Sequence, residues 1–230
     1  MSKNAHLLLA EEAPRASGLD HLRTVAPQEC PFCNDWIDAS ASPFDTFLRQ
    51  SPIVNLMPAL GMLAPGYLLA TTTEHLLSTA YLGAAGLAAL ANEVDALVGE
   101  LADTFGPYLT FEHGSCPESG SCIEHAHVHL IPAADELRQI ILTSRRWRKL
   151  GTIADLADLA GTEYGLLQID GDYFVDTEPF PSQWIRQVVA GFVGAPVWDW
   201  ALDSGWANLK TTKYALAATT ARGSSEGCGV

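Results

Sequence analysis

The stretch "HAHVHLIP", residues 125–132, decides how the rest of the sequence is interpreted. His125, His127 and His129 occupy every second position, and successive side chains of a β-strand point to opposite faces. A strand here would project all three imidazoles from one face, about 6–7 Å between neighbours, and turn the apolar residues between them toward a core. An interior strand has no structural need of such a row, so the row indicates a chemical role.

The composition limits the kinds of partner. The 230 residues are 48% hydrophobic, enough for a substantial core, and the formal net charge is −14. That acidity disfavours binding to the phosphate backbone of nucleic acids, which requires a basic face. It permits a small phosphorylated substrate. The apolar "LLLA" at 7–10 is too short for a signal segment and runs into Glu11 and Glu12. We therefore expect a cytoplasmic protein with no membrane partner.

The order of elements predicts an α+β fold with an antiparallel sheet and a long packed helix. Strands are expected near 53–57, 66–72, 108–114 and at the histidines, a helix through 87–101, a second helical stretch over 134–150, and a hairpin around Asp170-Gly171 within 164–175. We divide the chain into an N-terminal arm (1–24), a catalytic domain (25–145) and a smaller α+β extension at the C-terminus (146–230).

Three chemistries use imidazoles in a row: metal binding, acid–base catalysis and nucleophilic attack. A metal site built from histidines on a strand and a carboxylate a few residues later fits this sequence poorly. The first acidic residue after His129 is Asp135, six residues on. The helical zinc motif H-E-x-x-H is absent from the sequence. Core histidines satisfied by backbone carbonyls are common singly, but three in register on one face are not explained that way.

The apolar residues between the histidines carry a resemblance to a known family. "HAHVHLI" resembles the H-φ-H-φ-H-φ-φ signature of the histidine triad superfamily. "APGYLLATTTEH" (64–75) is similar to its P-G-H-φ-φ-φ-x-P-x-x-H segment, and "FEHG…SGSCIEHAHVH" to its N-x-G…G-Q-S/T-x-x-H-φ-H-φ-H. The resemblance covers about residues 30–140, with "SQWIRQ" and "WDW" as weaker matches. It implies an antiparallel sheet with a packed helix, and nucleotidyl or phosphoryl transfer at a nucleotide α-phosphate.

The same resemblance implies roles for individual residues. His127 would attack phosphorus and form a covalent nucleotidyl-histidine, with one ring nitrogen unprotonated and the other donating to a carbonyl. His129 would contact the phosphate or protonate the leaving group. Gly120, Ser121 and Cys122 would bind substrate phosphate, although Cys122 is a weaker donor than the hydroxyl that the family has there.

Three further residues depart from the pattern or extend it. Glu112 stands where the family has asparagine, and we expect it to face a sugar hydroxyl or a cationic leaving group. Tyr67 replaces the histidine of P-G-H, so the chain does not resemble the simple nucleoside-phosphoramidate hydrolases. Arg186 follows Ser182 by about one helical turn and would reach substrate phosphates if the C-terminal part folds over the site; a surface arginine is the alternative.

The sequence "CPFC" (30–33) has the spacing of a zinc knuckle, but two cysteines supply half of a tetrahedral site. The resemblance to zinc-containing histidine triad proteins and to hexose-1-phosphate uridylyltransferases implies the other half. The implied ligands are Cys30, Cys33, His75 and His125, a closed and therefore structural zinc site. A pair of buried thiols and a redox-active pair are the alternatives.

The leading hypothesis is a nucleotidyl hydrolase or transferase that acts on a nucleotide or sugar nucleotide through His127. A catalytically silent nucleotide-binding or zinc-stabilised scaffold is the alternative, since Tyr67, Cys122 and Glu112 depart from the catalytic pattern. An enzyme acting on nucleic-acid ends is a third, disfavoured by the acidity. The resemblance further implies a homodimer formed through the long helix and a strand edge.

Overall fold

The structure, a computed structural model, describes residues 30, 32–33, 47–115, 125–181, 183–200, 202–203 and 205–225, the last seven of these by backbone alone. The strands are β1 (Arg49–Gln50), β2 (Val54–Pro58), β3 (Leu68–Thr72), β4 (Tyr108–Gly114), β5 (His127–Pro132), β6 (Arg148–Lys149), β7 (Tyr164–Ile169) and β8 (Asp172–Asp176). The α-helices are α1 (Gly83–Phe105), α2 (Asp135–Ser144), α3 (Trp184–Val193) and α4 (Trp206–Ser225). Short 3-10 helices span Thr79–Leu82 and Ile153–Leu159. The predicted N-terminal arm (1–24) lies outside the described residues.

All eight strands form one antiparallel sheet in the order β1-β2-β3-β5-β4-β7-β8-β6. The predicted α+β class is therefore confirmed. The histidine strand β5 lies near the centre, between β3 and β4. Because β7 pairs with β4, three strands of the predicted extension continue the sheet of the predicted catalytic domain. The functional division at residue 145 stays a prediction.

The two faces of the sheet are covered by different helices. In β7, Gln168 accepts a hydrogen bond from Thr110 of β4 and donates one to Asp95 of α1, so these side chains share the α1 face. Alternation along β4 places Phe111 on the other face, where its ring lies 6.3 Å from His129 and 5.6 Å from Trp184 of α3. We call this second side the histidine face.

Helix α1 follows from its apolar spacing. Its buried stripe is Gly86, Leu87, Leu90, Val94, Leu97 and Leu101, one side of a period of 3.6 residues. The helix ends at Gly106, which adopts a positive φ of 83° and donates its N–H to the carbonyl of Ala102. By length and composition alone, residues 79–105 would also suffice to cross a membrane, a property that core helices of soluble proteins share.

One predicted element is shorter than expected. The helical pattern over 134–150 ends at Ser144, because Arg145 is extended and its guanidinium donates to Asp176 and lies 3.7 Å above the centre of the Phe180 ring. Arg148 and Lys149 then form β6 against β8. The expected helix cap Ser182 lies outside the described residues, and α3 begins at Trp184.

Close packing between β7 and the loop before α3 supports the histidine face. A Cβ atom added to Gly165 would overlap the ring of Phe180, which packs against Phe111 and Trp184. We expect Gly165→Ala to destabilise the fold by about 1–3 kcal/mol, the usual range for overpacking. Urea unfolding measures this. Gly99→Ala in α1, where an added Cβ meets nothing within 4 Å, is the matched control and should stabilise by about 0.5–1 kcal/mol.

Candidate functional site

Four ligand-type side chains meet at one edge of the histidine strand. The Sγ atoms of Cys30 and Cys33 and one ring nitrogen each of His75 and His125 all lie within 4.8 Å of one another. Cys30 Sγ is 3.4 Å from His125 Nδ1, and Cys33 Sγ is 3.1 Å from His75 Nδ1 and 3.4 Å from His125 Nδ1. Tetrahedral zinc with S and N ligands separates its ligand atoms by about 3.3–3.8 Å. The four residues therefore form a cluster that could hold a metal ion.

His125 is oriented as a metal ligand would be. Its Nε2 lies 2.8 Å from the carbonyl oxygen of Thr72, to which a protonated Nε2 donates, and this leaves Nδ1 facing the two thiols. Burial lowers the pKa of His125 to about 4, so the ring is neutral near pH 7. An outer carbonyl that fixes the tautomer of a ligating histidine is a recurrent feature of metal sites.

His127 follows two residues later and points from the strand onto the histidine face. Its Nδ1 lies 2.7 Å from the backbone carbonyl oxygen of His125, which can only accept, so Nδ1 carries the hydrogen. A neutral imidazole carries a hydrogen on only one of its two nitrogens, so Nε2 keeps an unprotonated lone pair. Burial also lowers the pKa of His127, which favours the neutral ring, while the side chain stays partly exposed. The predicted donor bond to a carbonyl is thus present.

His129 lies on the same face, its ring centre 5.0 Å from that of His127. Its Nδ1 is 2.9 Å from the hydroxyl of Tyr67, which is fully buried at the start of β3. Burial lowers the pKa of His129 well below its usual value, and repulsion from a protonated His127 and from the Arg186 guanidinium acts in the same direction. His129 is therefore a neutral imidazole, and its Nδ1 is already in a hydrogen bond with Tyr67.

Phe32 connects the cysteine pair to the histidine row. It is 8% exposed, and its ring centre lies 5.5 Å from the rings of both His125 and His127 in edge-on contacts. The C-x-x-C spacing places this ring between the two thiols in sequence. The geometry of the knuckle is therefore coupled by packing to the position of His127.

Arg186 requires a correction. It is 5% exposed, so the expectation of a surface arginine is wrong. Its Nε donates to the carbonyl of Trp198, and its two terminal nitrogens donate to the carbonyls of Leu60 and Gly61. A guanidinium whose donors are used in this way holds two loops together, and the predicted role in binding substrate phosphate does not fit that arrangement.

Glu112 also lies elsewhere than expected. It alternates with Phe111 and so points to the α1 face, where it is 1% exposed. Its oxygens accept hydrogen bonds from the backbone N–H and hydroxyl of Thr79 and from the hydroxyl of Tyr164. Burial raises its pKa to about 7, against the lowering effect of those donors. The predicted contact with a sugar hydroxyl or leaving group is not supported, because the sheet separates Glu112 from the histidine face.

The remaining predicted substrate-binding residues, Gly120, Ser121 and Cys122, lie outside the described residues, so their roles stay predictions. Two partners escaped the sequence reasoning. Tyr67 was read only as a departure from P-G-H, and Thr72 carried no signal because its contribution is a backbone carbonyl. A further histidine, His113, lies on β4 with its Nε2 2.8 Å from a carboxylate oxygen of Glu163. The alternation of β4 with Phe111 is the signal that could have placed it on the histidine face.

Comparison with known proteins gives a similarity at the level of the fold. No protein-family model matches the sequence, and no curated protein matches it. Among solved structures, the fold is similar to the crystal structure of a HIT-like protein involved in cell-cycle regulation from Bartonella henselae, which carries an unknown ligand. The identity is 14% and the TM-score 0.39, over 47% of this chain and 82% of that chain.

We expect the purified protein to carry close to one metal equivalent per chain, held by the cysteine and histidine cluster. Cys30→Ser should lower that content at least about tenfold, because a neutral hydroxyl replaces a thiolate ligand. Elemental analysis after gel filtration measures it. His113→Gln, which changes a histidine that contacts Glu163 and is not one of the four clustered residues, should keep full content. Less than half an equivalent in the wild type, with Cys30 open to alkylation in the native state, would contradict the expectation.

Glu112 should leave a signature in the pH dependence of stability. Its folded pKa of about 7 lies above the ordinary glutamate value of 4.5, so its contribution to the free energy of unfolding is full below pH 4.5 and is lost as pH rises through 7. The loss is on the order of 1–3 kcal/mol. The buried His125, His127 and His129, with lowered pKa values, raise stability over the same pH range. The decline should therefore appear as a difference: by urea unfolding from pH 4.5 to 8, the wild type should lose stability relative to Glu112→Gln. Glu100→Gln, at an exposed ion pair with Arg49, should keep the decline.

Proposed function

We propose that the protein is a nucleotidyl hydrolase or transferase that acts at a nucleotide α-phosphate through a covalent intermediate on His127. The observation that carries the proposal is the 2.7 Å contact between His127 Nδ1 and the carbonyl oxygen of His125. It fixes the tautomer in which Nε2 keeps its lone pair, on a partly exposed ring. Such an imidazole is a competent nucleophile near neutral pH.

The reaction divides into two displacements. In the first, the Nε2 lone pair of His127 forms a bond to the α-phosphorus, and the bond from phosphorus to the leaving group breaks. The leaving group departs with that electron pair and takes its proton from solvent. In the second, a water molecule or an acceptor hydroxyl attacks phosphorus and releases its proton to solvent, the P–N bond breaks and its electrons return to Nε2. Each barrier is lower than that of a single direct displacement.

The ring of His127 becomes positively charged while the phosphorus is bonded to Nε2. Its Nδ1–H then donates to the His125 carbonyl as a charge-assisted hydrogen bond, which is stronger than the bond from the neutral ring. The interaction therefore gains strength along the reaction path, as transition-state stabilisation requires. His129, 5.0 Å away between ring centres, would donate a hydrogen bond to a phosphate oxygen.

The Cys30, Cys33, His75 and His125 cluster would hold zinc in this proposal. Its two thiols and two imidazoles suit that ion, and four protein ligands leave no open position, so the ion is structural. When bound, zinc supplies no chemistry beyond holding the knuckle in place. His125 and Phe32 then keep the backbone carbonyl and one side of His127 fixed.

The substrate would be a small phosphorylated molecule, a nucleotide or a sugar nucleotide. The net charge of −14 supports a small ligand over a nucleic acid. Gly120, Ser121 and Cys122 remain the proposed phosphate contacts. A homodimer and a cytoplasmic location without membrane attachment stay predictions that accompany the proposal.

A specific observation favours a second candidate, a nucleotide-binding scaffold without turnover. Arg186 and Glu112, two of the predicted substrate contacts, are engaged inside the protein instead. Fewer polar groups are then available to stabilise charge on a transferring phosphate. This candidate predicts nucleotide binding with no labelled protein.

The decisive variant replaces the proposed nucleophile. Incubation of the wild type with α-³²P-labelled nucleotides should yield an acid-labile, base-stable labelled protein. His127→Gly should form no adduct and lose at least about a thousandfold in turnover, and free imidazole added to the variant should restore part of it. Thermal unfolding and metal content verify its fold. A folded His127→Gly protein with wild-type turnover would refute the proposal.

A further inference from the structure

The partner of His129 is a residue to which no role in the reaction has been assigned. Tyr67 is fully buried at the head of β3, and its hydroxyl oxygen lies 2.9 Å from His129 Nδ1. The two rings meet edge to face, with centres 5.7 Å apart. The strand register explains the contact, since Leu69 is paired with His129 and Tyr67 precedes it by two residues on the same face. The Tyr67 hydroxyl therefore contacts His129 on the side of the candidate site.

The environment of Tyr67 fixes the direction of this hydrogen bond. Burial raises the pKa of Tyr67 to about 12, so the phenol keeps its proton at neutral pH. Arg186 lies over the Tyr67 ring, with its guanidinium carbon 5.9 Å from the ring centre, and interacts with the phenol by its charge and by hydrogen bonding. Because a guanidinium offers donors only, it attracts the lone pairs of the phenol oxygen and favours an O–H that points to His129 Nδ1.

Arg186 in turn cannot move freely. Its Nε and both terminal nitrogens donate to backbone carbonyls, and a Cβ atom added to Gly61 would meet the guanidinium at 2.6 Å. Gly61 also adopts a positive φ of 69°, which favours glycine. The contacts that lead from the 60–61 loop to His129 thus run through two buried side chains, Arg186 and Tyr67.

We propose that Tyr67 is a positioning residue that donates its O–H to His129 Nδ1 and so holds His129 in the Nε2–H tautomer, with that N–H directed at the substrate phosphate. The inference rests on the proposed function for its phosphate ligand. The tautomer itself is a property of the protein without substrate.

The two histidines then have opposite roles set by opposite partners. The His125 carbonyl accepts from Nδ1 of His127 and leaves its Nε2 as a lone pair. The Tyr67 hydroxyl donates to Nδ1 of His129 and leaves its Nε2 as a donor. Neighbouring imidazoles on one strand are thereby separated into a nucleophile and a hydrogen-bond donor. An N–H donor favours an anionic oxygen, so the arrangement selects a phosphoryl group at His129.

Nitrogen-15 NMR of histidine-labelled, substrate-free protein tests the tautomer directly. The wild type should show His129 protonated at Nε2 and not at Nδ1, with the signal assigned by its loss in His129→Gln. Tyr67→Phe, which removes only the hydroxyl, should convert His129 to a mixture of both tautomers. Tyr108→Phe is the matched control, because Tyr108 is also a buried tyrosine whose hydroxyl donates, but to the Gly66 carbonyl. It should leave the His129 signal unchanged.

Kinetics give the second readout. With a substrate found for the wild type, Tyr67→Phe should lower kcat by about 10–100-fold, the usual effect of losing an orienting partner, and change KM less than threefold. Tyr108→Phe should leave both near wild type even where it lowers the melting temperature. An equal loss in both variants would mean that Tyr67 acts only through stability and would overturn the proposal.

The outcomes separate this inference from the proposed function. His129 protonated at Nδ1 in the wild type overturns the inference, whether or not the protein turns over nucleotides and whether or not Tyr67→Phe folds. The expected tautomers in wild type and Tyr67→Phe, together with no nucleotidyl adduct in the wild type, would instead overturn the proposed function and leave the tautomer assignment standing.

Discussion

The hydrogen bond from His127 Nδ1 to the carbonyl of His125 is the interaction on which the candidate site depends. At 2.7 Å it joins a side chain to the backbone two residues earlier, so its geometry is set by how the chain enters β5. The carbonyl can stay in place only if His125 does. That residue is held by the Thr72 carbonyl on one ring nitrogen and faces the Cys30 and Cys33 thiols with the other. The Cys30–Cys33 knuckle, the start of β5 and His127 are therefore held in place together.

Around this unit the protein provides neutral, buried surroundings rather than charges. Burial lowers the pKa values of His125, His127 and His129. Arg186, whose charge acts on His129, donates hydrogen bonds to three backbone carbonyls. Neutral imidazoles differ from imidazolium in having one donor and one acceptor each. In each of the three histidines, one ring nitrogen is hydrogen-bonded to a backbone carbonyl or to the Tyr67 phenol. That hydrogen bond determines whether the other nitrogen is a donor or an acceptor.

Much of the fold could be predicted from two periodicities. The spacing of two residues identified β5, and the spacing of three to four residues identified α1, because each places its apolar side chains on one buried face. The strand β4 and the β7–β8 hairpin at Asp170-Gly171 followed from local signals of the same kind. Patterns of this sort report burial and turns, which are local properties of the chain.

The errors all concern contacts between distant segments. The helical pattern after residue 134 ends early because Arg145 finds Asp176 and Phe180, more than thirty residues later. Glu112 was placed by resemblance, and only the strand register shows that it faces Thr79 and Tyr164. Arg186 was judged by its own helix, whereas its partners are the carbonyls of residues 60 and 61. Sequence spacing carries no information about such partners.

The central claim is that the Nε2 atom of His127 carries an unshared electron pair directed into the site. Neutron diffraction from crystals of the substrate-free protein at neutral pH would locate the exchangeable hydrogens of that ring. The account predicts deuterium on Nδ1, pointing at the His125 carbonyl, and none on Nε2. Deuterium on Nε2 with a bare Nδ1, or a metal ion bound to Nε2, would contradict it.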